Sequence, residues 1–193
     1  LVDSGSADAR EEVLAKVARI AKEDRKSPNG KVVALVNTHW HPEQTGANEA
    51  LGMQGATIIA HENVLATLGG AKGGPAAPFA MLPSETYFTP EHELFNGEAI
   101  QLFHTPAAIT DGDSLVFFRR SDVISTGDVF TTQSYPRIDL KAGGSINGEI
   151  AALNRILDLA IPKSTQEAGT DISPGHGRGA DEADGGEDRD MRG

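Results

Sequence analysis

The chain has 193 residues, enough for one domain with a sizeable core and too few for two ordinary ones. With 38% hydrophobic and 23% charged residues it reads as a soluble globular chain. A formal net charge of -11 argues against nucleic acid and against anionic membrane as partners, because both need clustered Lys and Arg.

Residues 1–3 read as a strand end, with a turn at Ser4-Gly5. Such an opening leads us to expect sequence upstream. Residues 7–24 predict an amphipathic helix with Val13, Leu14, Val17, Ile20 and Ala21 on one face. Residues 32–36 and 56–60 are short apolar runs bounded by turn signals, as buried strands are. The segment 37–45 reads as polar and irregular. Short helices are expected over 46–54 and 61–68. The Gly-, Ala- and Pro-rich stretch 69–83 reads as a loop or lid.

Beyond residue 85 the hydrophobic period becomes two. Strands are expected at 93–95, 99–104, 114–118 and 123–125, with Asn96-Gly97 as a hairpin turn. Residues 148–160 predict a helix, and 170–172 a last strand. The domain is expected to span 1–177. Residues 178–193 are rich in Asp, Glu and Gly with almost no apolar side chains, and read as a disordered or loosely attached tail. No apolar run is long enough to span a bilayer. With no cysteine there is no disulfide, and no compartment follows.

Four segments place His or Asp just after a buried strand: His39-Trp40-His41-Pro42-Glu43-Gln44, Asp111-Gly112-Asp113, Gly127-Asp128 and Pro174-Gly175-His176-Gly177. Strand ends of one sheet can converge on one edge, where loops build a site. Two His residues two apart on a loop can both reach one ion, and a carboxylate from a distant strand can complete the shell. Taken singly, each of these residues reads as an ordinary loop cap or turn residue, but the ordered set of four does not.

Their order resembles the metallo-β-lactamase-fold superfamily. The family motif Thr-His-x-His-x-Asp-His is similar to Thr38-His39-Trp40-His41-Pro42-Glu43-Gln44. Ala-His-Thr-Asp-Gly-Asp is similar to Ala108-Ile109-Thr110-Asp111-Gly112-Asp113, the Gly-Asp of the bridging ligand to Gly127-Asp128, and Pro-Gly-His-Gly to residues 174–177. The resemblance implies an α/β fold, an αββα sandwich of two mixed sheets flanked by helices. It also implies a metal site, here with substitutions. His39 and His41 stand in two of three first-site positions, and Ile109 stands in the third. Glu43, Gln44 and His176 stand in the second site, with Asp128 at the bridging position. An isoleucine has no lone pair, and a neutral amide oxygen is a weak zinc ligand. The implied metal set is therefore His39, His41, Glu43, Asp128 and His176, holding zinc or another divalent metal, one ion at most. Asp111 or Asp113 could orient a ligand His, and Asp113 could equally cap its loop.

The resemblance implies a hydrolase that cleaves an amide, ester, lactone or thioester with metal-activated water. Glu43 and Asp128 are its catalytic candidates, and a small molecule its substrate. The substitutions at 109 and 44 keep a second reading open, a non-catalytic ligand-binding protein that retains the fold without the metal. A third is an incomplete domain whose exposed strand edges bring chains together as an oligomer. Trp40, His61, His92 and His104 read as packing, helix-start, loop and strand-end residues, and Gly143-Gly144-Ser145 as a helix start.

Overall fold

A computed structural model describes residues 1–23, 31–164 and 169–180. The chain has two compact units, Leu1–Phe88 and Thr89–Gly193.

The first unit is built on three strands, β1 (Ala34–Val36), β2 (Thr57–His61) and β3 (Glu85–Tyr87), paired in parallel in that order. Val2 bridges Val36 in parallel and extends the sheet beyond β1. Parallel neighbours need crossovers. These are the single turn α2 (Pro42–Thr45) with α3 (Asn48–Met53) between β1 and β2, and α4 (Glu62–Leu68) between β2 and β3, labelled after the N-terminal helix α1 (Arg10–Glu23). Leu35, Leu51, Ala56 and Ile58 form one apolar cluster, and Ala60, Val64 and Leu68 another. The apolar face expected on α1 is only partly realised. Leu14 packs against the first cluster, but Ile20 is 54% exposed. The helix is an outer layer whose stripe exceeds the surface it covers.

The second unit carries a five-stranded sheet in chain order: β4 (Glu91–Phe95), β5 (Ala99–His104), β6 (Ser114–Phe118), β7 (Val123–Ser125) and β8 (Asp171–Ser173). The first four strands are antiparallel, and β8 joins β7 in parallel through the crossover helix α5 (Ile146–Leu159). Of the two mixed sheets expected, this one is mixed, and the three-stranded sheet is parallel among its described strands. Ala152, Leu153 and Ile156 of α5 join Phe103, Leu115, Phe117, Ile124 and Ile172 in the unit's main core. Ser145 caps α5, its hydroxyl accepting from Gly148 N at 3.0 Å, so Gly143-Gly144-Ser145 is the helix start expected. His92 lies inside β4 opposite Leu102, where the sequence suggested a loop. The short, charged Glu91-His92-Glu93 run masks a strand that alternates towards the core.

Part of the expected tail is fastened. Ala180 is buried and exchanges both backbone hydrogen bonds with Ile172, at 2.8 and 2.9 Å. Residues 181–193 lie outside the described residues.

Candidate functional site

In the first unit the site candidates follow β1 directly. Asn37 N donates to Ile59 O at 2.9 Å and carries the ladder one step past the strand. Asn37, Asn48 and Ser4 are all fully buried and bonded to one another. Asn48 Nδ2 donates to Asn37 Oδ1 at 2.8 Å, and Ser4 Oγ to Asn48 Oδ1 at 2.9 Å. The carbonyl of Gln44 accepts from Ser4 N at 2.8 Å and from Asn37 Nδ2 at 3.3 Å. A buried polar network satisfied in this way rigidifies the loop it crosses.

That loop sets two imidazoles side by side. The rings of His39 and His41 lie 4.7 Å apart between centroids, 72° from coplanar. His39 is fully buried and His41 half-buried. His41 sits at the N-cap of α2 in extended backbone, with Pro42 as the first helical residue, and Thr45 Oγ1 donates back to its carbonyl at 3.0 Å. Proline pre-sets the helical φ, so this turn begins directly after His41. Trp40 packs against the Ala60, Val64 and Leu68 cluster, the packing role expected of it. Glu43 is half-buried in the first turn of α2, and Gln44 is buried. His61 caps α4, its Nδ1 accepting from Asn63 N at 3.3 Å.

The second unit contributes a carboxylate and a third imidazole. Asp128 lies in the 3-10 turn Gly127–Val129 that follows β7, and His176 in the turn that follows β8. His176 Nε2 is 3.4 Å from Asp128 Oδ1. The two turns run in parallel, because Gly175 N donates to Gly127 O at 2.8 Å and Thr132 N to His176 O at 3.2 Å. Gly175 is needed for this approach. A Cβ there would lie 2.5 Å from Asp128 Oδ1 and 2.6 Å from Gly127 O. Gly177 has φ +109, a conformation that side chains rarely adopt.

The remaining candidates have structural work. Ile109 is 1% exposed and belongs to the same apolar cluster as Leu115, Phe117 and Phe130. Asp113 is the loop cap the sequence allowed. Its Oδ2 accepts from Thr110 N and, at 2.9 Å, from Thr110 Oγ1. Burial pushes its carboxyl up to about 8, against the pull of the Thr110 hydrogen bonds, and the charge of Asp128 adds to the rise. The His104 ring bonds through Nε2 to the Asp111 carbonyl at 2.9 Å. One participant escaped the sequence reading. Asp3, taken there as a strand end, turns both carboxylate oxygens onto Thr38 beside His39. An Asp placed immediately after a strand and before Ser-Gly was the available signal.

A family profile described as the metallo-beta-lactamase superfamily matches residues 1–182. The chain belongs to the metallo-beta-lactamase superfamily. Among solved structures, the metallo-beta-lactamase from Pontibacter korlensis is similar at 19% identity and a TM-score of 0.72, over 99% of this chain and 81% of that one. The DIM-1 metallo-beta-lactamase is similar at 21% identity and a TM-score of 0.70, over 99% of this chain and 79% of that one. At these identities the likeness shows the metallo-beta-lactamase fold. No curated protein matches the chain.

As a member of the superfamily, the chain keeps a donor set that suits a borderline divalent ion. Imidazole and carboxylate are the ligands such ions take in hydrolytic sites. The interior apolar place of Ile109 gives no donor there. No helix among the described residues is long and apolar enough to cross a membrane.

Proposed function

We propose that this superfamily member is a metal-dependent hydrolase with a mononuclear site. Zinc or another divalent ion would be held by the donors that superfamily membership implies, His39, His41 and Asp128, with His176 beside Asp128 as a further donor and Glu43 as a fifth. The observation that carries this reading is the pairing of donors within each unit. Two imidazoles lie 4.7 Å apart in one unit, and a carboxylate and an imidazole 3.4 Å apart in the other. When bound, the ion would supply Lewis acidity and lower the pKa of water. Glu43, on the turn that His41 caps, would take a proton from the attacking water. Asp128 would hold its place as an anionic donor, with Gly175 packed against it. The substrate class is a small-molecule amide, ester, lactone or thioester.

A second reading has its own observation. Ile109 is sealed in the core, so a ligand-binding protein without the chemistry would look the same at that position.

Elemental analysis of the purified protein and thermal shifts with added Zn, Mn or Fe test the first reading. Saturation at a hundred times the dissociation constant is expected to stabilise the fold by about 2.7 kcal/mol. His39→Ala and Asp128→Ala are each expected to remove most of that gain. Turnover is expected on at least one of a β-lactam, a lactone and a thioester. No bound metal and no turnover with any of the three ions would leave the second reading standing.

A further inference from the structure

We infer that Asp3 and Thr38 form a proton-fixing relay that sets the tautomer of His39, so that Asp3 is a positioning residue for the ligand imidazole. The inference rests on the proposed metal role of His39, and its first readout needs no metal.

The hydrogen bonds of Thr38 point to one arrangement of protons. Thr38 N donates to Asp3 Oδ1 at 2.8 Å. Thr38 Oγ1 donates to Asp3 Oδ2, also at 2.8 Å. A hydroxyl has one proton, and this one points at the carboxylate. Thr38 Oγ1 also lies 3.2 Å from His39 Nδ1. With its own proton committed, the hydroxyl can only accept there. His39 Nδ1 therefore carries the ring proton in the neutral imidazole, and the lone pair falls on Nε2. Metal-ligating His residues are held in this way by a partner on the other nitrogen. Here the partner is a threonine polarised by an aspartate.

The backbone supports the same role. Asp3 has φ +50, which a side chain other than glycine rarely adopts. It is held by the bond from its own N–H to Val36 O at 2.8 Å and by the two bonds from Thr38. Asp3 is therefore fixed at both ends, to β1 and to the residue before His39. The fully buried His39 ring has no bulk water with which to exchange tautomers freely.

Asp3→Asn gives the relay a direction that can be read. The Thr38 N–H can only donate, so the amide oxygen must face it. The amide nitrogen then faces Thr38 Oγ1 and donates to it. The threonine proton is released towards His39 Nδ1, which becomes an acceptor, and the ring proton moves to Nε2. A near-isosteric change of one atom is expected to invert the tautomer of a neighbour's neighbour.

Long-range 1H–15N NMR of the metal-free, 15N-labelled protein, at a pH where His39 is neutral, tests this. The His39 signals are assigned by their loss in His39→Gln. The wild type is expected to show Nδ1–H, Thr38→Ser the same, and Asp3→Asn Nε2–H. In competition with a chromogenic chelator, Asp3→Asn is expected to bind zinc about 10–100-fold more weakly. An Nε2–H ring in the wild type, or the same tautomer in wild type and Asp3→Asn, overturns the relay. Should Asp3→Asn fail to fold, the wild-type and Thr38→Ser spectra decide. A wild type with Nδ1–H that takes up no divalent ion upholds the relay and removes the hydrolase reading instead.

Discussion

A buried carboxyl group is a pH-dependent element of the fold, and Asp113 is the clearest one here. Its pKa rises from 3.8 to about 8, chiefly because burial disfavours the charge. Between those two values the folded state binds more protons than the unfolded state, so the Asp113 contribution falls as pH rises and levels off above about 8. Asp113→Asn keeps an oxygen for the two Thr110 donors and removes the titration. In chelator-treated protein, urea midpoints are expected to show the wild type losing ground to Asp113→Asn across that pH window. A constant difference between the two would mean that the carboxyl titrates normally. At the same scale, Asp3 and Ile109 show opposite uses of burial. Asp3 brings charge to a polar loop, whereas Ile109 gives its position to the core.

The elements place these residues by joining turns to strand ends. The turn after β8 lies against the turn after β7 because residue 175 has no side chain. Gly175→Ala puts a methyl group inside contact distance of Asp128 and Gly127, and one of them must move. A loss of about 1–3 kcal/mol is expected from urea unfolding, together with weaker zinc binding. An unchanged midpoint and affinity would show that the two turns are not so closely joined. Most of these elements were legible in the sequence. The strands β5, β6 and β7 have the expected bounds, because alternating or continuous apolar runs end at clear turns. The single turn α2 and strand β3 were not. Pro42–Thr45 is too short to show a period, and Glu85–Tyr87 buries only Tyr87. At the site, the motifs pointed to His39, His41, Asp128 and His176, which the structure sets on the loop after β1 and on the turns after β7 and β8. The tautomer relay was hidden because Asp3 and Thr38 are 35 residues apart in sequence. Whether Asp113 caps its loop or orients a ligand His also depended on contacts that spacing does not encode.

For the whole molecule, the proposed function names donors on each compact unit, His39, His41 and Glu43 on one and Asp128 and His176 on the other. Hydrogen exchange followed by mass spectrometry is expected to show residues 37–45, 127–132 and 174–177 gaining protection together when zinc is added. Protection confined to 37–45 would mean that the first unit binds alone. The same division of labour bears on Ile109. Where the family motif has a ligand, this chain has a methyl-rich side chain locked among Leu115, Phe117 and Phe130. Ile109→His by itself would strand a polar ring in that interior before any ion could reward it. The mutational path to a three-imidazole site therefore first descends through weaker folds. Space and polarity around position 109 have to change before the histidine can return, so the substitution works as a ratchet, and laboratory evolution towards a second ion would have to begin with the neighbours of Ile109.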